Sequence, residues 1–247
     1  MTASIQGSQF LSHFQIDNYV DLSLFGVDIS ISNAVVWMWV ASLAAFTFFM
    51  LAFRRPRLVP GRMQMLAEAG HGFIVDMVNK NIIPEGRRYF PVVFTLFFFI
   101  LFGNLTGLLP GAFTPTSQIV VTAALALSIF TMTIVIRLVK HGLGFFHAFA
   151  PRGVPLFLLP LMVPIEVLSY VARPVSLAVR LFANMTAGHT VLAVIAVLGG
   201  AIPWLAAIVP MGLSVALLAV EVFIAFIQAF IFTILTCVYI DDALGEL

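Results

Sequence analysis

Charged residues are scarce in this sequence and are missing from long stretches of it. Only 9% of the 247 residues are charged, whereas a soluble domain carries about 25%. No Asp, Glu, Lys or Arg occurs in residues 89–136, 181–220 or 222–240. The first two stretches exceed the ~20 apolar residues with which a helix crosses a bilayer, and the third nearly matches them. The sequence therefore predicts an integral membrane protein.

Other absences exclude further classes of structure and function. Strict alternation of apolar and polar residues is missing, which argues against a membrane β-barrel. The single cysteine, Cys237, rules out an intramolecular disulfide, and no CxxC, HExxH or Walker-type spacing suggests a metal or nucleotide site. We therefore expect no cofactor. The formal net charge of +1 argues against nucleic-acid binding, which needs a strongly basic surface. No cleavable signal peptide is evident at the N-terminus.

Three apolar segments predict three membrane spans, at about residues 32–53, 89–110 and 117–136. Basic residues follow the first and third spans and precede the second, and they are Arg54, Arg55, Arg57, Arg62, Arg87, Arg88, Arg137 and Lys140. Such clusters normally stay on the cytoplasmic side. We therefore expect the N-terminal segment, residues 1–31, on the outer side and the C-terminus in the cytoplasm.

Residues 61–82, within the predicted three-span region 32–152, have the pattern of an amphipathic helix. Its apolar side chains share one helical face, and they are Met63, Leu66, Ala67, Phe73, Ile74, Met77 and Val78. Such a helix can lie on the membrane surface. Packing against a partner protein is an equally good interpretation.

Residues 153–247 predict a long helical hairpin, with a break near Gly199, Gly200 and Pro203. Each arm of ~45 residues would be roughly 65 Å long, so it fits a ~30 Å bilayer core only if strongly tilted or bent. The predicted fold class is all-α integral membrane, with about five membrane helices plus one amphipathic surface helix. No internal repeat is evident, which disfavours an inverted-repeat transporter.

Five ionisable residues interrupt this hairpin, and they are Glu166, Arg173, Arg180, His189 and Glu221. A charge at the bilayer centre costs about 2.5–3.5 kcal/mol, so such residues are functional candidates by default. At ~100° per residue, Arg173 and Arg180 share a helical face with small or polar residues, namely Ser169, Ser176, Asn184 and Ala187. His189 should point the opposite way from Arg180.

On the last helix, Glu221 and Gln228 are seven residues apart and share a face. If the two arms pack together, Glu221 and His189 could meet and form a proton relay, because histidine titrates near neutral pH.

Purely structural roles are alternatives to these functional interpretations. Glu166 and Arg173 could form an ion pair, Arg173 could reach lipid head groups, and His189 could be a hydrogen-bonded core residue. A structural role fits Arg180 least well, because no acid lies within reach along its own helix turn.

The segment 176–189, Ser-Leu-Ala-Val-Arg-Leu-Phe-Ala-Asn-Met-Thr-Ala-Gly-His, resembles subunit a of the F-type ATP synthase, the proton-channel stator subunit. Further matches are Gly-Asn-Leu-Thr-Gly-Leu-Leu-Pro at 103–110, Pro-Ile-Glu at 164–166, and Glu221 with Gln228. The resemblance runs from the first span to the C-terminus. It implies proton translocation through two offset half-channels at the interface with a rotating c-ring, coupling the proton-motive force to ATP synthesis.

The resemblance also implies a role for each matching residue. Arg180 corresponds to the essential arginine that faces the ring carboxylates and separates the half-channels. The path from the outer side would use Asn184, His189, Glu221 and Gln228, and the path to the cytoplasm would use Glu166 and Ser176. Relative to many bacterial members, the acid and the histidine are exchanged between the two helices, as in mitochondrial members.

The family further implies a non-catalytic subunit whose partners are the c-ring, peripheral-stalk b-type subunits, membrane lipids and the transported protons. A bacterial cell inner membrane is the expected location, with the mitochondrial inner membrane as the alternative.

Two other classes of protein are alternatives. A secondary transporter would need repeats, and an intramembrane protease would need a Gly-x-Ser-x-Gly or paired-Asp constellation, none of which is evident.

Overall fold

The computed structural model describes residues 18–20, 23–24, 27–28, 31–82, 86–109, 112–142, 157–201 and 208–245. Two short antiparallel strand pairs come first. They are β1 (Asn18–Val20) with β4 (Ile31–Ser32), and β2 (Ser23–Leu24) with β3 (Val27–Asp28). The division of the chain into the regions 1–31, 32–152 and 153–247 stays a prediction.

Helices make up almost all of the remaining described chain. In chain order they are α1 (Asn33–Ala52), α2 (Arg62–Asn81), α3 (Gly86–Gly107), α4 (Ile119–His141), α5 (Leu159–Ala201) and α6 (Ile208–Leu244). A short 3₁₀ turn, Pro115–Ser117, lies between α3 and α4. All of these helices except α2 are long and apolar enough to cross a membrane. The predicted all-α membrane fold, with five spanning helices and one amphipathic helix, is confirmed.

The helix ends lie close to the predicted ones, with one clear exception. α4 continues to His141, five residues beyond the predicted end, and carries Arg137 and Lys140 in its last turns. Basic side chains at a helix C-terminus interact favourably with the helix dipole. The helix ends at Gly142, whose φ of +55° lies in a region that residues with a side chain rarely adopt.

The two arms of the hairpin contain 43 residues in α5 and 37 in α6. At 1.5 Å per residue, both are far longer than a ~30 Å bilayer core. Pro164 and Pro174 lie inside α5, where proline removes a backbone hydrogen bond and favours bending. Of the residues predicted to break the hairpin, Gly199 and Gly200 lie in the last turn of α5, and Pro203 lies outside the described residues.

α2 packs on its own chain, against α3 and α6. Part of its predicted apolar face is buried there, namely Ala67, Ile74, Met77 and Val78, whereas Met63 and Leu66 remain exposed. Phe73 contacts Phe97 of α3 and Phe226 and Phe230 of α6. The two interpretations from the sequence, a position on the membrane surface and packing on a partner protein, do not include packing on the same chain. The contact with the membrane surface stays a prediction for the exposed part.

Candidate functional site

Arg180 lies on a face of α5 that no described part of the chain covers. Ser176, Arg180 and Asn184 are all exposed, while Leu177 and Leu181, which lie beside this face on the helix, are buried. No described carboxylate lies within ion-pair distance of the Arg180 guanidinium. The shared face predicted from the 100° helical spacing is therefore present, and its cation is available to a partner outside this chain.

His189 points towards the 3₁₀ turn instead of towards the Arg180 face. Its Nε2 atom lies 2.8 Å from Oγ1 of Thr114, the residue that precedes the turn. Thr114 can lie this close to α3 because residue 107 is glycine. A Cβ atom at Gly107 would come within 2.7 Å of the Thr114 Cβ. The hydrogen bond therefore depends on a close approach between the end of α3 and the turn.

Glu221 lies in the interface between α5 and α6, with its carboxyl group against Gly188. A Cβ atom at Gly188 would lie only 2.6 Å from the Glu221 Oε1 atom. The other oxygen, Oε2, is buried and has no hydrogen-bond partner among the described residues. Glu221 is thus beside the backbone next to His189. No ion pair between these two side chains is present in the described chain, so the predicted direct contact is replaced by the bond from His189 to Thr114.

Gln228 is buried on the same side of α6 as Glu221 and Ala225, as the seven-residue spacing predicts. Polar contacts run from this side towards α3 and the 3₁₀ turn. The Asn104 Nδ2 atom of α3 donates to the Ala225 carbonyl at 3.3 Å, and the Thr116 hydroxyl donates to Asn104 Oδ1 at 2.7 Å. The hydrogen-bonded pair of Asn104 and Thr116 therefore joins α3, α6 and the 3₁₀ turn.

Asn104, Thr114 and Thr116 were not among the predicted site residues. One signal for Asn104 was available, since an amide within an apolar span can hydrogen-bond across helices. Thr114 and Thr116 lie in a connecting segment, where the sequence gives no periodic pattern to indicate burial. All three are buried in the structure.

Arg173 forms an ion pair, but its partner is Asp242 and not Glu166. The Arg173 Nη1 atom lies 2.7 Å from Asp242 Oδ2, and its guanidinium lies 5.4 and 5.5 Å from the ring centres of Tyr170 and Tyr239. Glu166 is half-buried on α5 and has no ion pair within the described chain. The interpretation of Glu166 and Arg173 as an ion pair is thus wrong, because Arg173 pairs with Asp242.

Comparison with known proteins assigns the family. The sequence pattern of the ATP synthase A chain matches residues 35–241, which include nearly all of the five membrane helices. This chain belongs to the ATP synthase A chain family. The resemblance deduced from residues 176–189 is therefore confirmed.

Two curated relatives, both named ATP synthase subunit a, agree with this assignment to the ATP synthase A chain family. The protein from Magnetococcus marinus is 52% identical over 238 residues, which cover 95% of this chain and 92% of the relative. The protein from Hyphomonas neptunium is 48% identical over 240 residues, which cover 95% of both chains. As a member of this family, the chain is a non-catalytic, multi-pass membrane subunit of ATP synthase that serves proton translocation.

Proposed function

We propose that this chain conducts protons through two offset half-channels at an interface with a rotating c-ring, and that Arg180 separates them. The observation that carries the proposal is the placement of Arg180. Its guanidinium is exposed on a long apolar helix and has no described acid to neutralise it. An unpaired charge in the bilayer is costly, so a partner that presents carboxylates at this depth would satisfy it.

A fixed cation suits this role for electrostatic reasons. It attracts a ring carboxylate in its ionised form, and it repels a proton that would otherwise pass straight from one half-channel to the other. The proton must instead travel with the ring. Each charge that crosses the membrane potential contributes about 2.3 kcal/mol per 100 mV, which is the free energy available for rotation.

The order of residues along α5 supports two separate paths. Glu166 and Ser176 precede Arg180, and Asn184 and His189 follow it, so the two groups lie on opposite sides of the cation. Glu166 and Arg180 are separated by 14 residues, or roughly 21 Å along the axis. We assign the first pair to the cytoplasmic path.

We assign the second pair to the path from the outer side, together with Glu221 and Gln228 of α6. Burial supports this assignment, because the Glu221 carboxyl group lies against Gly188, the residue next to His189. A carboxyl group near an imidazole can pass a proton in steps at neutral pH, provided that both side chains move or a water bridges them.

The partners and the orientation belong to the same proposal. The c-ring would cover the Arg180 face, and peripheral-stalk b-type subunits and lipids would contact other outer surfaces. Basic residues at 54–62, 87–88 and 137–140 favour a cytoplasmic C-terminus and an outer N-terminus. The expected location is a bacterial inner membrane, with a mitochondrial inner membrane as the alternative.

The test is the substitution Arg180→Ala in the intact ATP synthase. We expect proton-driven ATP synthesis in reconstituted vesicles to be abolished while the c-ring still copurifies, because only the exposed cation is removed. Val179→Ala is a matched control, since it shortens the neighbouring exposed side chain of the same helix. Normal synthesis in an assembled Arg180→Ala complex would overturn the assignment.

A further inference from the structure

Four arginines surround a cleft at the junction of α1 and α2, remote in sequence from the proposed proton path. They are Arg54, Arg55, Arg57 and Arg62, and the cleft has a volume of about 690 Å³. None of the described residues that line it is acidic. Four like charges within nine residues create a strong positive potential, which attracts an anion.

The arginine side chains are free to bind such an anion. All four residues are exposed, and within the described chain none of them forms an ion pair. The nearest acid on α2, Glu68, does not line the cleft, and its Oε1 atom accepts a hydrogen bond of 2.7 Å from Gln64. Among the described residues, no acid therefore forms an ion pair with the arginines of the cleft.

Gln64 holds the arginine segment in place. This residue is only 8% exposed, and its side-chain amide forms two hydrogen bonds of 3.1 Å with the backbone of Arg57, one to the N–H and one to the carbonyl. The loop is thereby tied to the first turn of α2. A site whose backbone is fixed before binding loses less entropy when a ligand enters.

The first turn of α2 adds to the attraction for an anion. Gly61, its N-cap residue, provides no side-chain cap, and no acidic residue is present in that turn. The free N–H groups at the start of a helix carry a partial positive charge. Gly61, Arg62 and Met63 line the cleft, so these groups lie at its wall.

Apolar side chains beside the cleft indicate what kind of anion it takes. Leu51, at the end of the membrane span α1, lines the cleft together with Met63, and both are exposed. Leu58 and Val59 in the connecting loop are exposed as well. Cationic groups next to exposed apolar residues at the end of a span suit an anionic lipid, whose phosphate and acyl chains need both.

We propose that this cleft binds the headgroup of an anionic phospholipid, with its phosphate among the four arginines and an acyl chain along Leu51 and α1. The proposal does not depend on the assignment of the proton path. It would fix the start of α2, which packs on α3 and α6, to the lipid at one membrane face.

The test is photolabelling of the intact ATP synthase complex in vesicles of phosphatidylcholine that contain a photoactivatable phosphatidylglycerol. We expect the label on residues 50–66, and much less label there from a photoactivatable phosphatidylcholine. Arg57→Gln combined with Arg62→Gln should reduce the phosphatidylglycerol label roughly tenfold, since each arginine contributes to the binding of an anionic lipid. The matched control is Arg87→Gln with Arg88→Gln, which removes the same charge from another exposed basic pair and should leave the label unchanged.

Four results would overturn the proposal. Equal labelling by the two lipids would show that no anionic headgroup is selected. An equal loss of label in the control pair would show a general charge effect. Displacement of the label by millimolar inorganic phosphate would identify a free anion as the ligand. Labelling that occurs only after the peripheral stalk is removed would identify an acidic protein segment as the occupant.

If the Arg57→Gln and Arg62→Gln complex does not assemble, the comparison of lipids on the unmodified complex still decides the question. The preference for phosphatidylglycerol should then fall when salt is raised, because screening weakens charge attraction at an exposed site. A preference that is absent, or that salt does not change, would contradict the arginine site.

Discussion

Single glycines determine how the polar residues of the membrane interior meet. At Gly188 the missing side chain leaves room for the Glu221 carboxyl group, and at Gly107 it leaves room for Thr114, which contacts His189. Gly188 lies inside α5, where glycine is about 1 kcal/mol less favourable than alanine, whereas Gly107 is the last residue of α3. Gly188 therefore reduces helix stability locally, while both glycines allow close contacts at the proposed outer path.

The substitution Gly188→Ala tests this arrangement at the level of one methyl group. The new Cβ would lie 2.6 Å from Glu221 Oε1, so the carboxyl group must move. We expect proton flux into vesicles under an imposed potential to fall roughly tenfold, since displacement of a reacting group by ~1 Å can cost that much or more. Assembly of the complex should be unaffected.

Gly212→Ala is the matched control for this measurement. It makes the same change in α6, at a position where a Cβ would meet no atom within 4 Å. Both substitutions favour helix formation, so only the contact with Glu221 differs between them. Equal flux in the two variants would refute the role of Gly188.

At the scale of helices, the sequence predicted where the helices lie and which residues share a helical face. It did not predict which other helices each one contacts. Hydropathy placed the first three spans within about three residues, apart from the end of α4, because membrane crossing needs a minimum apolar length. Helical spacing grouped Ser176, Arg180 and Asn184 correctly on one face. Helical spacing, however, relates only residues within the same helix.

Contacts between helices depend on packing, which no periodic pattern records. The bond between His189 and Thr114 spans 75 residues, and that between Arg173 and Asp242 spans 69. For this reason the partners expected from the sequence, Glu221 for His189 and Glu166 for Arg173, differ from those in the structure.

Asn104 provides a test at the scale of packed helices, since it bonds to both α6 and the 3₁₀ turn. We expect Asn104→Ala to destabilise the protein by about 1 kcal/mol, because the buried Thr116 hydroxyl loses its acceptor and hydrogen bonds between membrane helices contribute about that much. For a chain of this size this corresponds to a decrease of about 2–4 °C in the unfolding midpoint. Thermal unfolding in mild detergent would measure it.

Thr106→Val is the control, because among the described residues the Thr106 hydroxyl bonds only to carbonyl groups of its own helix. This substitution removes a hydroxyl from α3 without disturbing a contact between elements. A midpoint decrease of the same size in both variants would mean that Asn104 does not link the helices.

At the scale of the whole molecule, the exposed Arg180 face constrains how the hairpin is held. If a partner covers that face of α5, as we propose, α5 and α6 can be fixed only from their other sides. The structure does this with polar contacts to α3 and the 3₁₀ turn, and with an ionic contact near the C-terminal end of α6. There the Asp242 carboxylate pairs with Arg173 of α5, and its backbone carbonyl accepts a 3.1 Å hydrogen bond from Arg137 of α4.

The substitution Asp242→Asn isolates the ionic part of this attachment, because it keeps the backbone carbonyl that Arg137 contacts. The Asp242 carboxylate also lies 3.8 Å from the Arg137 guanidinium, so the substitution removes two ion pairs. The side chains of Arg173 and Asp242 are 31% and 42% exposed, so solvent screening limits the ionic contribution to about 1 kcal/mol or less. We expect the unfolding midpoint in detergent to fall by up to about 4 °C at low salt. Asp241→Asn removes the same charge from the adjacent exposed residue, which has no ion pair within the described chain, and should have little effect. At ~1 M salt, where the screening length is ~3 Å, the unfolding midpoints of the two variants should become equal. A difference that persists at this salt concentration would mean that hydrogen bonding, and not charge, provides the stabilisation.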